Sequence, residues 1–447
     1  MKQQTEHITS EASLRGFSRF IPRPSGWQCF ALLIAFLVLV PLSVLAFTWL
    51  EPAWDIWKHL QETLLSRLLL NTLILVIGVS TGTLLLGVSL AWLTGACDFP
   101  GRKHFSWSLL LPLAMPTYVL AFVSLGIFDF SGPVQTQMRE WFGRGVWLPD
   151  MRSAGGVVLV MSLALYPYVY LLARNAFRTQ GKRALEAAES LGCTPVQGFF
   201  RVVLPMARPW IAGGATLVLM EALADFGAVS IFNYDTFTTA IYKTWFGFFS
   251  LPAAAQLSSL LVAIVFLLVA LEQRLRKRMR FAQSRLAPQA ERIELTGSRR
   301  WLATSYCSLI LLIAFLLPAL QLLVWSLEVF HEEFDSRYLS LLGHSLILGL
   351  IAAIVITAVA LLLAYAGRRH HDRLTHGLIR TATLGYALPG TVLAVGIFIP
   401  LAWLDNFIID LARNLFGLEI QQLLQGTIMI MLLAYTIRFM AAGFKSI

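Results

Sequence analysis

The sequence predicts an all-α polytopic membrane protein built from two parallel repeats. Three observations predict it: the composition, a succession of long apolar segments, and self-similarity at a fixed offset. Of 447 residues, 57% are hydrophobic and 13% charged, with 30 Phe and 13 Trp. Soluble domains carry roughly 45–50% apolar and ~25% charged residues. A soluble chain this long exposes more surface than so few charges cover. Mean hydropathy is +0.69. The apolar runs approach or exceed the ~20 residues a helix needs to cross hydrocarbon, which favours helices over barrel strands.

Ten spans are predicted, at 29–49, 66–95, 107–128, 155–176, 210–232, 253–271, 302–327, 343–366, 379–404 and 425–444. The first lies behind 28 residues of leader, and its apolar run exceeds that of a cleavable signal. With the N-terminus placed in the cytoplasm, the inward segments carry 26 Lys and Arg and the outward ones 8. That bias predicts an orientation with both ends of the chain cytoplasmic. It also accounts for the net charge of +10 without a nucleic-acid partner. Cys29, Cys97, Cys193 and Cys307 then lie on or near the reducing side, and no disulfide is expected.

Residues 71–93 resemble 344–366 at an offset of 273, and the same offset carries Pro116 onto Pro389. Tyr166 pairs with Tyr435 at an offset of 269. An even number of spans separates the copies, so the repeats are parallel. The predicted layout is a tail at 1–28, a first module at 29–271 with six helices and a loop at 177–209, a basic linker at 272–300, and a second module at 301–447. The second copy ends about a dozen residues after Tyr435, so twelve spans are expected in a complete pair, with one loop and two helices of the second module missing.

The sharpest motif lies in the loop between spans four and five. Ala184 to Glu189 is rich in helix formers. Gly192 suits the left-handed position past a helix end, Thr194 a cap, and Pro195 a first turn. Val196, Phe199, Phe200 and Val203 recur at helical spacing. Pro205 is expected to stop that helix, and Pro209 to start span five. The result is a helical elbow, with Ala187 and Ala188 small enough for a partner's backbone to approach.

Here the chain resembles the permease subunits of bacterial binding-protein-dependent ABC importers, the MetI-like permeases. Their loop reads Glu-Ala-Ala, three residues, Gly, nine residues, Ile, one residue, Leu-Pro. Glu186, Ala187, Ala188, Gly192, Val202, Leu204 and Pro205 stand at that spacing, with Val in place of Ile at 202. Two fused modules, and the stretch Leu219–Phe246, resemble the iron(III) importer permeases; thiamine importer permeases are fused similarly. The second elbow would begin near 455, outside the sequence.

The resemblance implies a transport subunit rather than an enzyme, with no cofactor of its own. The one Gly-Lys pair, Gly181-Lys182, lacks the glycine spacing of a phosphate-binding loop. ATP would be used by a homodimeric ATPase subunit docked at the elbows, with Glu186 at the interface and Gly192 setting the angle. A periplasmic binding protein would dock on the outward loops, 129–154 and 405–424.

Glu221 and Asp225, read as i and i+4 of span five, form a candidate cation path, since charges in hydrocarbon usually face the bundle interior. Asn71 reads as helix–helix glue. His370 and His371 sit in a basic loop, and His331 with Glu332, Glu333 and Asp335 in an acidic one; both read as solvated, and no metal-ligand spacing stands out. The basic run Arg274–Arg280 reads as an anchor near anionic lipid. A secondary carrier is the rival from another class, but it has no need of the elbow.

Overall fold

The computed structural model describes residues 25–143, 149–277, 292–417 and 421–446. Most of the 1–28 tail, half of the 272–300 linker, and parts of the two outward loops therefore lie outside the described residues. Among those described, nine helices are long and apolar enough to cross a membrane, and Ile428–Phe444 is a shorter tenth.

The chain enters through α1 (Gly26–Phe47), where the Ser25 side chain accepts from Gln28 N and the Gln28 side chain accepts from Ser25 N at 2.9 Å. This capping box satisfies N–H groups at the helix start. A short α2 (Trp54–Thr63) turns the chain into α3 (Leu65–Ala96). With 32 residues at ~1.5 Å each, α3 is about 48 Å long and must tilt or project past a ~30 Å hydrocarbon layer.

The expected third span, 107–128, is not one helix. The chain forms α4 (Arg102–Ser108), a 3-10 turn (Leu111–Ala114), an extended Pro116 at φ −56° and ψ 143°, and then α5 (Thr117–Phe128). Pro112 and Pro116 are the cause, since each lacks an N–H and proline disfavours helix in the residue before it. The carbonyls freed at this break find donors on α7 (Ala154–Ser190). Tyr166 OH donates to Leu109 O at 2.9 Å and Tyr170 OH to Ser106 O at 3.1 Å. Irregular backbone at membrane depth needs such partners. Tyr166→Phe is expected to cost about 1–3 kcal/mol by leaving the Leu109 carbonyl bare, read as a lowered thermal midpoint of the purified chain.

After α5 comes α6 (Pro133–Phe142) and then α7, which runs 37 residues without interruption. Glycines of α3 seat it: a Cβ on Gly87 would lie 2.7 Å from the Val169 Cβ, and one on Gly78 2.8 Å from the Val158 methyls. Helices in lipid associate by such close approach rather than by a hydrophobic drive. Past the elbow run α8 (Pro195–Gly198), a π turn (Phe199–Val203), α9 (Leu204–Ala224), α10 (Gly227–Ile231), α11 (Phe237–Phe246) and α12 (Leu251–Lys277). The fifth span thus ends at Ala224, not near 232.

The second copy opens with α13 (Ser298–Leu311), a π turn (Leu312–Leu316) and α14 (Leu317–Glu333). Then follow α15 (Ser336–Arg369), α16 (Arg373–Ala382), a 3-10 turn (Leu384–Ala387), α17 (Gly390–Phe416) and α18 (Ile428–Lys445). The break seen before α5 recurs 273 residues on. Leu384 answers Leu111, and Pro389, at φ −57° and ψ 145°, answers Pro116. The outward loop expected at 405–424 is partly helix, because α17 runs on to Phe416. Buried Asp405 accepts from Leu423 N at 2.9 Å, Leu424 N at 3.2 Å and Gln425 N at 3.3 Å, pinning the chain's return towards α18.

The opening helices of the two copies exchange places. Ala31 and Ile34 of α1 pack with Ala360, Leu363, Ile379 and Met440 of the second copy. Ala303, Cys307 and Ile310 of α13 join the core formed by α3 and α7 of the first. Short polar contacts fix both crossings. Ser25 Oγ lies 2.7 Å from His370 Nε2, and Gln28 donates to Asp372 at 3.3 Å. Asp372, bonded by the Thr375 hydroxyl and N–H, is held below the usual carboxylate range. On the other side β1 (Cys97–Asp98) pairs in parallel with β2 (Ile293–Glu294).

Candidate functional site

The elbow forms from the residues that its sequence marks. α7 continues unbroken through Glu186, Ala187 and Ala188 and ends at Ser190, with Leu191 as its C-cap. Gly192 takes φ +82°, Gly192 N donates to Glu189 O at 2.9 Å, and Cys193 N donates to Ala188 O at 3.0 Å. These two bonds and the left-handed glycine make a Schellman ending. Thr194 caps α8 in a capping box with Gln197, and Pro195 fills the first turn. The chain therefore reverses within Leu191 to Thr194.

Two details differ from the sequence expectation. Ala188 is not offered to a partner: it is 2% exposed, and a Cβ on Gly198 would lie 3.1 Å from its methyl. Its small size closes the corner of the elbow itself, while Ala187 and Glu186 remain exposed. Pro205 does not stop the helix. In the preceding π turn Leu204 N reaches Phe199 O, which widens the coil where the proline ring would meet a carbonyl. The same device precedes Pro318, where Leu317 N reaches Leu312 O. Pro209 then lies inside α9, buried.

The helical face of Val196, Phe199, Phe200 and Val203 divides. Phe199 packs against Trp92 with ring centroids 4.9 Å apart, and Val203 is 3% exposed. Val196 and Phe200 point outward at 67% and 61%, beside Leu191 at 85%. Val202 and Leu204 are half-buried, and Pro205 sits in the first turn of α9. The elbow therefore carries bare Leu191, Val196 and Phe200, and an exposed Glu186 that Lys182 approaches at 3.7 Å.

Glu221 and Asp225 sit one turn apart at the end of α9, within electrostatic range of each other, and their carboxylates are bonded to different partners. Asp225 caps the end of α9 with extended backbone at ψ 129°. Its carboxylate accepts from Ala228 N at 2.8 Å, from Val229 N at 3.4 Å and from the Thr117 hydroxyl. It ties the start of α10 to the start of α5. Glu221 turns instead towards the second copy, accepting from Tyr386 OH at 3.4 Å, with Arg438 of α18 and Tyr168 of α7 within electrostatic range. Arg438 also lies beside Gly390, where a Cβ would meet its guanidinium. An acid from one module and a base from the other thus lie within electrostatic range where the modules meet, and among the described residues no ion pair joins them at contact distance.

Reading spans alone missed Arg438 and Tyr386. The signal for Arg438 was present, since a lone charge inside an apolar span is costly enough to need a partner. Asn71 ties α3 to a connecting segment rather than to another helix: its Nδ2 donates to Asp235 O, between α10 and α11, at 2.9 Å. Among the described residues no group of three or more His, Cys, Asp or Glu is placed to hold a metal ion.

Comparison with known proteins bears on both regions. The family model described as the inner membrane component of binding-protein-dependent transport systems matches residues 84–281, which include the whole elbow. An Fe(3+)-transport system permease protein of Haemophilus influenzae is 29% identical over 340 residues, which are 74% of this chain. The match spans 63% of that relative's own length. A sulfate transport system permease protein of Escherichia coli is 30% identical over 235 residues, 49% of this chain and 76% of the relative. A molybdenum transport system permease protein of Escherichia coli is 30% identical over 146 residues, 33% of this chain and 62% of the relative.

Proposed function

Because the chain belongs to the family of inner membrane components of binding-protein-dependent transport systems, we propose that it forms the path by which iron(III) crosses the inner membrane. The ion is delivered by a periplasmic binding protein, and a separate homodimeric ATPase supplies the energy. Both ends of the chain face the cytoplasm in this reading, as the charge bias favours.

The observation that carries the iron reading is the reach of the match. The iron permease aligns over 340 residues, more than the 277 residues up to the end of α12, so the likeness extends into the second copy. The sulfate relative aligns over 235, about one module. Glu221 supplies a carboxylate for the path, and Asp225, engaged by three donors, positions α10 beside it. Leu191 and Val196, bare on either side of the turn, supply the apolar part of the dock for the ATPase, and the exposed Glu186 belongs to the same elbow.

One observation favours a second reading. Arg438 stands in the same cluster, and a guanidinium suits an oxyanion as well as it suits Glu221. Uptake by vesicles carrying the complete complex decides between them. Labelled iron(III) is expected to accumulate with ATP inside, and labelled sulfate, molybdate and thiamine to remain outside. Accumulation of sulfate or molybdate without iron would replace the first reading with the second.

A further inference from the structure

Between α3, the elbow helix and α13 lies a groove of about 900 Å³. That is the upper end of the ~300–1,000 Å³ range of small-molecule sites. Its long walls are apolar, with Leu85 and Val88 of α3 facing Leu302 of α13. Ser89 and Tyr306 close the gap between the helices through a 2.8 Å hydroxyl contact. The groove runs from Leu84 to Leu93 along α3; nine residues at ~1.5 Å make about 14 Å, half of a ~30 Å hydrocarbon layer. Its length is that of one leaflet.

One end is cationic. Arg208 lies in the second turn of α9 and Arg299 in the first turn of α13, both exposed and both lining the groove. Among the described residues no carboxylate lines it, and neither guanidinium has an acidic partner within ion-pair distance. Two exposed guanidinium groups thus line one leaflet-deep apolar slot, and guanidinium groups suit phosphate oxygens.

The feature recurs in the second copy. Trp27 of α1 and Leu361, Leu362, Tyr365 and Arg368 of α15 line a smaller groove of about 410 Å³. At the 273-residue offset Leu361 answers Val88 and Tyr365 answers Trp92. This counterpart carries one arginine.

We propose that the groove between α3, α9 and α13 binds one anionic diacyl phospholipid, its phosphate between Arg208 and Arg299 and an acyl chain along Leu85, Val88 and Leu302. The bilayer is the medium around these helices, so acyl chain is what an apolar lateral slot meets there. The paired guanidinium groups, with no carboxylate to receive a choline or ethanolamine amine, select the anionic headgroup. The lipid bridges the elbow helix and the exchanged helix of the other copy, whatever the transported solute.

Native mass spectrometry of the full chain in detergent tests it, with phosphatidylglycerol and phosphatidylcholine of equal chain length added together. Retention of phosphatidylglycerol at least ten-fold above phosphatidylcholine is expected. The double variant Arg208→Gln, Arg299→Gln, both at exposed positions, is expected to bring the two lipids to near-equal retention. Leu85→Trp, which fills the slot, is expected to reduce bound phosphatidylglycerol without touching the arginines. Equal retention of both lipids by the unaltered chain would overturn the proposal, as would an unchanged preference in the double variant.

Discussion

Gly192→Val is expected to remove most ATP-driven uptake while leaving the amount of folded chain in the membrane nearly unchanged. Gly192 holds φ +82°, and nothing lies within 4 Å of where its Cβ would stand. The substitution therefore meets no neighbour, and its whole cost is backbone conformation. A non-glycine residue in the left-handed region costs about 1–2 kcal/mol, and a β-branched one fits there least well. That energy is small beside the packing of the long membrane helices, so insertion and folding survive it. At the elbow it acts on one equilibrium, the reversal between α7 and α8, and shifts its population by a factor of roughly 5–30. The two bonds that close the reversal, Gly192 N to Glu189 O and Cys193 N to Ala188 O, loosen together. Leu191 and Val196, on either side of the turn, then no longer form one surface. Uptake into vesicles and co-purification of the ATPase should fall together, while the yield and thermal midpoint of the chain alone change little. Gly192→Ala should have a smaller effect in the same direction. Full uptake by the valine variant would show that the angle of the elbow does not carry the coupling.

What could be read from the sequence was whatever depends on short-range rules. The elbow was legible because each of its corners has its own local cause: a glycine for positive φ, a threonine with a glutamine three residues later, and a proline in a first turn. The repeat was legible because Pro116 and Pro389 mark the same break. The break itself was missed because hydropathy sums over 107–128 and does not weigh Pro112 and Pro116. Pro205 misled in the opposite sense. Proline ends a helix held by i to i−4 bonds, but a π turn just ahead of it removes the clash, and no local pattern announces that turn. The exchange of α1 and α13 between copies depends on which apolar stripe meets which, and an apolar stripe carries no address. Asp225 reads from the sequence only as a path residue one turn from Glu221; its bonds to Ala228, Val229 and Thr117 depend on the helix ending at Ala224, which the spacing does not announce.

Glu221→Ala is expected to destabilise the contact between the modules by about 1–2 kcal/mol, less than the ~2.5–3.5 kcal/mol of a fully buried lone charge because Arg438 is half-buried and out of contact distance. Arg438 sits within an apolar span, and Glu221 of the other module lies within electrostatic range of it. Tyr386 loses its acceptor in the same substitution. Adding Arg438→Met removes the stranded charge, and an apolar pair in place of a buried ionic one is often neutral for stability. The double variant should therefore recover most of the thermal midpoint that the single variant loses. Uptake separates the two roles of the carboxylate. If Glu221 contributes to the path, the double variant stays poor at iron(III) transport despite its recovered stability, because the cation has lost its oxygen ligand. If the acid serves only to neutralise Arg438, transport returns along with stability, and the carboxylate has no place in the path. A Glu221→Gln variant completes the comparison: it keeps an acceptor for Tyr386 but not the charge, so it should match the double variant in transport and the single variant in its unpaired Arg438.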